Sequence, residues 1–199
     1  CSCSQRVRLP LPPPLDRIRR AVIEFSGSAL DPPTLELPLS TLKRTPLFDR
    51  IRALSPKLVD FGGWEMPISF VGIIEEHKCV RKAVGLFDVS HMGQVLVQGD
   101  GADACVSRWV TNDVVALAAG RAQYNLLCKP NGGIIDDIVV YKYSPQKLLI
   151  CVNAATTEKD YAWMHEQAGS SVDVVNVSDD YAQIAVQGPL AQMVMQPLV

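Results

Sequence analysis

The chain has 199 residues, of which 48% are apolar and 20% are charged, and its 19 basic and 21 acidic residues leave a net charge of −2. This composition is typical of a globular protein with its own core, and it lacks the basic excess that nucleic-acid binding requires. No apolar run approaches the roughly 18 residues that would cross a bilayer. We therefore expect neither nucleic acid nor a membrane among its partners.

Residues 1–44 differ in composition from the rest of the chain. Eight of the 14 prolines lie at or before Pro46, and basic residues outnumber acidic ones in this stretch. Because proline fixes φ and lacks a backbone donor, we predict an irregular leader with at most a short helix around Leu15–Phe25. Transit peptides are poor in acids, whereas this leader contains four, so a transit peptide and an artefact of the gene boundary both stay open as interpretations.

Three helices are predicted after residue 44. Apolar residues at helical spacing predict a helix over Val71–Val84, with its charged residues facing water and Gly85 at its C-terminal end. Asp100 is predicted to cap a short helix. A third helix is predicted to run from Thr156 or Thr157 to Gln167, with Asp160 completing a capping box.

Alternating polar and apolar residues predict strands between these helices. Several of the strands are joined by turns that are too short for a parallel crossover. We therefore predict an α+β fold with mainly antiparallel sheets and packed helices. The predicted strands are Gln94–Gln98, Tyr124–Cys128, Ile134–Tyr141, Leu148–Asn153, Val172–Val177 and Tyr181–Val186.

Two adjacent acids, Asp136 and Asp137, interrupt an otherwise apolar strand, where Asp is normally depleted. Because side chains alternate between faces, Asp137 shares a face with Tyr141. Pairing Tyr141 with Leu149 in the following strand separates polar from apolar residues, and this register places Asp137 beside Asn153. The register therefore predicts a small-molecule site with a carboxylate, an amide and an aromatic ring on one wall.

Structural interpretations of these polar residues stay open on spacing alone, since an Asp often caps a turn and an Asn often caps a helix. We predict that Asp136 is structural and accepts hydrogen bonds from backbone near the Gly132-Gly133 turn. His91 has no partner nearby in sequence, so we predict that it is packed rather than a general base. The loop Asp60–Pro67 is predicted to anchor Trp64 in the core.

The cysteines and histidines do not have the spacing of a metal site. The six cysteines include no Cys-x-x-Cys pair, and the three histidines lie far apart in sequence. Zinc ligands usually come in close pairs, so we expect no metal. Single cysteines within apolar runs are predicted to be small buried residues in a reducing compartment.

A series of short motifs occupies residues 45–190 in a fixed order. Together they resemble the N-terminal portion of the glycine cleavage system T-protein family. The segments that carry the resemblance are Lys43–Phe48, Val59–Pro67, Gly72–His77, Val84–Gly93, Thr111–Val114, Gly120–Tyr124, Gly132–Asp137 and Val152–Ala155.

The resemblance implies a tetrahydrofolate-dependent aminomethyltransferase. Members of this family move an aminomethyl carbon from the lipoyl arm of H-protein to tetrahydrofolate, which gives 5,10-methylenetetrahydrofolate and ammonia. The resemblance also implies three lobes, of which the first two bind folate and the last is a C-terminal β-barrel. By position, it maps the essential carboxylate onto Asp137 and the folate contacts onto Met92, Tyr124, Val139, Tyr141 and Asn153.

The match covers only part of the family pattern, and residues 45–199 are interpreted as a truncated N-terminal part of the folate-binding region. We expect this fragment alone to bind folate weakly, to have poor solubility and to be inactive, because half of the pocket and the barrel are missing. The cytoplasm is the expected location, with the mitochondrial matrix as the alternative.

Three other functions stay open. They are a non-catalytic folate-binding protein of iron–sulfur cluster assembly, the folate domain of a dimethylglycine- or sarcosine-type dehydrogenase, and a structural interaction module. The leader contains no Gly-x-Gly-x-x-Gly turn of the kind that a flavin domain would carry.

Overall fold

The computed structural model describes residues 42–198. The predictions for residues 1–41, including the short helix around Leu15–Phe25, lie outside the described residues. The α-helices of the described part are α1 (Phe48–Arg52), α2 (Ile73–Lys82), α3 (Ala102–Ser107), α4 (Thr157–Gln167) and α5 (Ala191–Met195). The strands are β1 (Lys57–Phe61), β2 (Trp64–Ser69), β3 (Gly85–Asp88), β4 (Gly93–Gly99), β5 (Arg121–Cys128), β6 (Ile134–Ser144), β7 (Lys147–Val152), β8 (Val172–Asn176) and β9 (Ile184–Gln187).

These strands form three antiparallel groups. The central sheet has five strands in the order β5-β6-β7-β4-β8, and β1-β2 and β3-β9 form two-stranded sheets. Every pairing between these named strands is antiparallel. The α+β fold with mainly antiparallel sheets is therefore confirmed. All six predicted strands are present, with ends that shift by up to three residues.

The hydrophobic core lies on one face of the five-stranded sheet. Alternate residues of β4, β6, β7 and β8 point to this face, and α3, α4 and Trp109 pack over it. The core residues on this face of these strands are Val, Ile and Leu, so the sheet offers a largely apolar surface to the helices, interrupted on β6 by Asp136 and Lys142. The opposite face of β6 carries the residues predicted to form the site. The fully buried core side chains include Val95, Val97, Val106, Leu127, Ile138, Val140, Leu148, Ile150, Val152 and Met164.

Helix α2 is shorter and more exposed than its sequence predicts. It ends at Lys82 with Ala83 as its C-cap, and Gly85 opens β3 instead of capping the helix. Ile73 is 65% exposed and Ile74 is 69% exposed. Within residues 42–198, α2 makes its main contacts with β2 and β3, so its apolar face is left largely uncovered.

The predicted side-chain caps of α3 and α4 are wrong. Helix α3 begins after Gly101, whose φ of 76° turns the chain into the helix, and Asp100 does not cap it. At α4 the capping box is not formed, because Asp160 faces the interior and is completely buried. The Thr156 hydroxyl donates to the Asp136 carboxylate instead.

The segment Asp60–Pro67 is a β-hairpin rather than a loop. Asp60 pairs with Glu65 across it, and the Gly63 N–H donates to Asp60 Oδ1 at 2.9 Å. Trp64 is half-buried and packs on the His91 ring with 6.5 Å between centroids, outside the main core. The hairpin thus holds Trp64 against a neighbouring turn, and the prediction that it anchors Trp64 in the core is wrong.

Candidate functional site

The register of the β6–β7 hairpin is the one predicted from polarity. Val139 pairs with Cys151 and Tyr141 pairs with Leu149. Because neighbouring side chains alternate, Asp137, Val139 and Tyr141 lie together on the face opposite the core. This face is open: Asp137 is exposed, and Val139 and Tyr141 are half-buried. The residues therefore form a wall rather than an enclosed pocket.

The Asn153 amide bridges the two adjacent acids at the end of this wall. Its Nδ2 donates to Asp137 Oδ1 at 3.1 Å and to Asp136 Oδ1 at 2.8 Å. A longer contact of 3.3 Å joins the same nitrogen to the Asp137 carbonyl oxygen. Because Nδ2 donates to the two acids, the amide oxygen Oδ1 is the atom of Asn153 that can accept a hydrogen bond from a ligand. The predicted proximity of Asp137 and Asn153 is confirmed.

Tyr124 extends the wall onto β5. It pairs with Val139, so its ring lies on the same face of the sheet, where it is 59% exposed. Desolvation, a hydrogen bond to the Asp137 carboxylate, and the charges of Asp137 and Asp136 raise the pKa of Tyr124. The phenol therefore stays protonated beside the Asp137 carboxylate.

Tyr141 and Met92 complete the predicted set from two further positions. Burial, followed by the neighbouring Cys151 and Tyr143, raises the pKa of Tyr141, so this phenol is also neutral. Met92 lies in the turn before β4, and the β4–β7 register places it opposite Asn153, one position beyond the Gly93–Val152 pair. The register thus places all six predicted residues on the open face of the β4–β7–β6–β5 segment.

Asp136 lies on the core face of β6, and its hydrogen-bond partners are not the backbone groups of the Gly132-Gly133 turn that were expected. It accepts hydrogen bonds from the Asn153 amide, the Thr156 hydroxyl and the Asp137 N–H, the last at 2.9 Å. Burial raises its pKa, but hydrogen bonds from Asp160, Thr156 and the other donors outweigh burial and hold the pKa at about 2. Asp136 is thus a permanent anion behind the wall.

Two glutamines beside the wall, Gln94 and Gln183, were not singled out from the sequence. Gln94 is 2% exposed and pairs with Cys151, and its Nε2 donates to Gln183 Oε1 at 2.9 Å. Within residues 42–198, Gln94 Oε1 receives no hydrogen bond. Burial raises the pKa of the Cys151 thiol, although its contact with Gln183 opposes the rise. A polar residue opening the apolar run of β4 was the signal for Gln94.

His91 is a packed residue, as predicted. Its ring meets Phe61 edge-on with 5.8 Å between centroids. Burial lowers the pKa of His91, although the charge of Asp88 opposes this shift. The neutral ring therefore lines the space beside the β1–β2 hairpin, and within residues 42–198 its buried Nδ1 has no hydrogen-bond partner.

The cysteines of the described residues differ in their exposure. Cys105 and Cys151 are buried, Cys128 is half-buried, and Cys79 is exposed, which contradicts burial for that one residue. In the part of the chain that the structure describes, no group of three His, Cys, Asp or Glu side chains is arranged to hold a metal. None of the described helices has both the length and the apolar character to span a bilayer.

A cleft of about 390 Å³ lies apart from the wall. It is lined by Arg108, Trp109, Cys128, Lys129, Pro130, Gly132, Trp163 and Gln167, so the six wall residues lie outside it.

The fold is an antiparallel α+β domain with an acid, an amide and two phenols on the open face of its main sheet, and sequence comparison places this domain in a family. The family model described as the GCVT N-terminal domain matches residues 47–199. The chain belongs to this family.

Several bacterial relatives carry the name aminomethyltransferase. The protein from Alkaliphilus oremlandii is 48% identical over 161 residues, which covers 80% of this chain and 44% of the relative. The protein from Lysinibacillus sphaericus is 52% identical over 158 residues, covering 79% of this chain and 43% of the relative. The chain thus spans less than half the length of these curated relatives.

A solved structure supports the same placement. The glycine cleavage system aminomethyltransferase T from Bartonella henselae superimposes with a TM-score of 0.74 at 30% identity, covering 79% of this chain and 44% of that chain. The antiparallel arrangement described above is therefore the arrangement of this family.

Proposed function

We propose that the chain is part of an aminomethyltransferase that moves an aminomethyl carbon from lipoylated H-protein to tetrahydrofolate, giving 5,10-methylenetetrahydrofolate and ammonia. The observation that carries the proposal is the Asp137 carboxylate, which lies on an open sheet face and accepts a hydrogen bond from the Asn153 amide. The names of the relatives favour this reaction over a non-catalytic folate-binding role or a dehydrogenase domain.

The proposed catalytic residue is Asp137. Departure of ammonia leaves positive charge on the carbon that is being transferred. A carboxylate fixed beside that carbon stabilises the charge, and preorganised charge stabilisation is commonly the largest contribution to catalysis. The same carboxylate orients the attacking folate amine and accepts its proton. The Asn153 amide donates to Asp137 from one side, which orients the carboxylate before the substrate arrives.

The remaining wall residues suit a flat, polar heteroaromatic ligand such as tetrahydrofolate, which is a co-substrate. Tyr124 and Tyr141 offer ring faces and edges, and Val139 offers an apolar contact between them. Asn153 Oδ1 offers an acceptor to a ring N–H or amino group. Met92 is proposed to contact the same ligand from the turn before β4.

The proposed partner is the lipoyl arm of H-protein, and the proposed location is the cytoplasm, with the mitochondrial matrix as the alternative. Support for the cytoplasm comes from the bacterial origin of the relatives. We keep the proposal that catalysis uses no metal, because the wall chemistry described above needs only a carboxylate, an amide and phenols.

The test is an Asp137→Asn substitution, assayed for aminomethyl transfer from H-protein in a chain that has the full length of its relatives. We expect turnover to fall by about 10²–10⁴-fold, because the amide cannot balance positive charge or accept a proton. Tetrahydrofolate affinity, measured by isothermal titration calorimetry, should change little.

The control is Asp173→Asn, which removes an exposed carboxylate from β8 of the same sheet. We expect this variant to keep its turnover. Near-normal turnover of Asp137→Asn would remove Asp137 from the mechanism, and an equal loss in both variants would indicate a general charge effect.

A further inference from the structure

Asp160 is a completely buried acid that the proposed chemistry does not use. It lies in α4, one helical turn before Met164, and both residues face the core side of the five-stranded sheet with no exposed surface. Neither of its oxygens receives a well-formed hydrogen bond from a donor within residues 42–198. Lys159 Nζ lies 3.3 Å from Asp160 Oδ1, but it donates at 2.9 Å to the Ile135 carbonyl oxygen. An ionised carboxylate in this position would lack most of the hydrogen bonds that it had in water.

Two contacts place the Asp160 carboxyl beside the Asp136 carboxyl on β6. Thr156, one helical turn before Asp160, donates its hydroxyl to Asp136, and Lys159 Nζ contacts both Asp160 Oδ1 and the carbonyl oxygen of Ile135, the neighbour of Asp136. Two carboxylates in contact cannot both be ionised, so one of them holds a proton. The partners of Asp136 show which one. An N–H of Asn153, the hydroxyl of Thr156 and the N–H of Asp137 all point at its oxygens.

A carboxylate has about four acceptor positions, so Asp136 has one left after these three donors. The remaining position, on Oδ2, is available to Asp160, whose own oxygens accept no hydrogen bond within residues 42–198. The shared proton therefore resides on Asp160 and points toward Asp136. Burial, together with the hydrogen bond and charge of Asp136, raises the pKa of Asp160 to about 7, while Lys159 opposes this rise.

Asn153 connects Asp136 on the core face of the sheet to Asp137 on the open face. Asn153 Nδ2 touches Asp136 on the core face and Asp137 on the open face, so one amide joins the buried pair to the proposed catalytic carboxylate. If Asp136 shifted or lost its orientation, the amide would be free to rotate and could present its oxygen to Asp137, which would repel it. The orientation of the Asn153 amide thus depends on the groups that hold Asp136 in place on the core face.

We propose that Asp160 is a positioning residue, which in its protonated form donates its O–H to Asp136 and through Asn153 fixes the orientation of Asp137. The relay consists of Asp160, Asp136, Asn153 and Asp137, in that order. Its link to catalysis rests on the proposed function, whereas the protonation of Asp160 and the orientation of Asn153 do not.

The first experiment measures protonation in the full chain without ligand. Aspartate carboxyl carbons are labelled with ¹³C, and Asp160 is assigned by comparison with Asp160→Asn. We expect the Asp160 signal to titrate above pH 6, and the charged groups that act on it are Asp136 of β6 and Lys159 of its own helix. An Asp160 signal that titrates below pH 5 would overturn the proposal.

The second experiment separates positioning from packing. Asp160→Asn keeps the shape and supplies an N–H donor to Asp136, whereas Asp160→Leu keeps the volume but removes the donor. The readout is the pair of side-chain amide ¹H–¹⁵N signals of Asn153. We expect wild-type positions in Asp160→Asn and shifted or broadened signals in Asp160→Leu. Equal disturbance in both variants would overturn the relay.

Lys159→Gln is the matched control, because it tests the alternative that Asp160 is an ionised partner of Lys159. We expect the Asn153 signals to stay unchanged in this variant. If Lys159→Gln disturbs Asn153 as strongly as Asp160→Leu does, the proposal is wrong and an ion pair sets the geometry.

Tetrahydrofolate titration of the same variants connects the relay to function. We expect Asp160→Asn to bind within about twofold of wild type and Asp160→Leu to bind about tenfold more weakly, the effect of losing one hydrogen bond of ordinary strength. If the wild-type chain does not bind tetrahydrofolate, the proposed function is in doubt, and the two spectroscopic measurements still decide the relay.

Discussion

The strand β6 buries a lysine, and replacing this residue tests how the core of the sheet is held together. Lys142 is only 4% exposed and shares the core face of β6 with Ile138 and Val140. Its ammonium group donates to Asp103 Oδ2 at 2.8 Å and to the carbonyl oxygens of Val114 and Val115, each at 3.0 Å. All three ammonium protons are thereby used.

We predict that Lys142→Met lowers the free energy of unfolding by about 3–5 kcal/mol. Methionine fills most of the space of the lysine stem, so the loss does not come mainly from a cavity. It comes from leaving the Asp103 carboxylate buried without its cation, which costs about 3–5 kcal/mol in comparable pairs. Since domains are stable by about 5–15 kcal/mol, the loss is large enough to measure by urea unfolding.

A double variant identifies the cause. In Lys142→Met/Asp103→Leu no buried charge is left, and replacement of a buried ion pair by apolar residues is often nearly neutral. We therefore expect the double variant to be more stable than Lys142→Met by at least about 1–2 kcal/mol. Lys129→Met, at an exposed lysine of the β5–β6 turn, is the control and should change stability by less than about 0.5 kcal/mol.

Two results would refute this reasoning. One is a decrease of less than about 1 kcal/mol in the free energy of unfolding of Lys142→Met with an unchanged urea slope, because a buried carboxylate without its cation destabilises a fold by more than that. The other is a double variant that is less stable than the single one, which would mean that the cost arises from packing.

Two further substitutions test local backbone geometry. Glu76 Oε1 accepts the N–H groups of three consecutive residues before α2 at 2.7–2.9 Å, so Glu76→Ala should lower the free energy of unfolding by about 1–3 kcal/mol in urea melts, while Glu75→Ala stays within about 0.5 kcal/mol. Gly188 has a φ of 126°, and a Cβ there would collide with two backbone carbonyl oxygens at the end of α2, so Gly188→Ala should cost more than about 2 kcal/mol by calorimetry. Gly132 has a φ of 83° with open space around it, and Gly132→Ala should cost only about 1 kcal/mol; equal losses would contradict the collision.

The strands and the site register were predictable because they depend on a local pattern with a period of two. Ile138 and Val140 of β6 and Leu148, Ile150 and Val152 of β7 lie at every second position, and the predicted register buries these five residues on one face. That register places Asp137 beside Asn153, and the structure confirms it. Burial of apolar side chains thus sets the register, and the register alone places the site residues beside one another.

The helix ends were less predictable, because the same residues can satisfy several partners. Thr156, Thr157 and Asp160 have the spacing of a capping box, yet Asp160 turns inward and Thr156 bonds to Asp136. Propensity for a cap contributes about 1 kcal/mol, which contacts with another strand can easily outweigh. Spacing within a helix therefore indicated where α4 begins but not where its polar groups go.

Local sequence features were enough to predict the antiparallel sheet, the hairpin register and the face on which Asp137 lies, because short turns exclude parallel crossovers and alternation separates polar from apolar residues on β6 and β7. Only the tertiary structure decided that Lys142 pairs with Asp103, that Asp160 reaches Asp136, and that the apolar face of α2 stays exposed within the described residues. These contacts join segments 24 to 39 residues apart or depend on which element packs over which. Their physical cause is that a buried charge or proton is stabilised by whatever the fold brings beside it, which no local periodicity encodes.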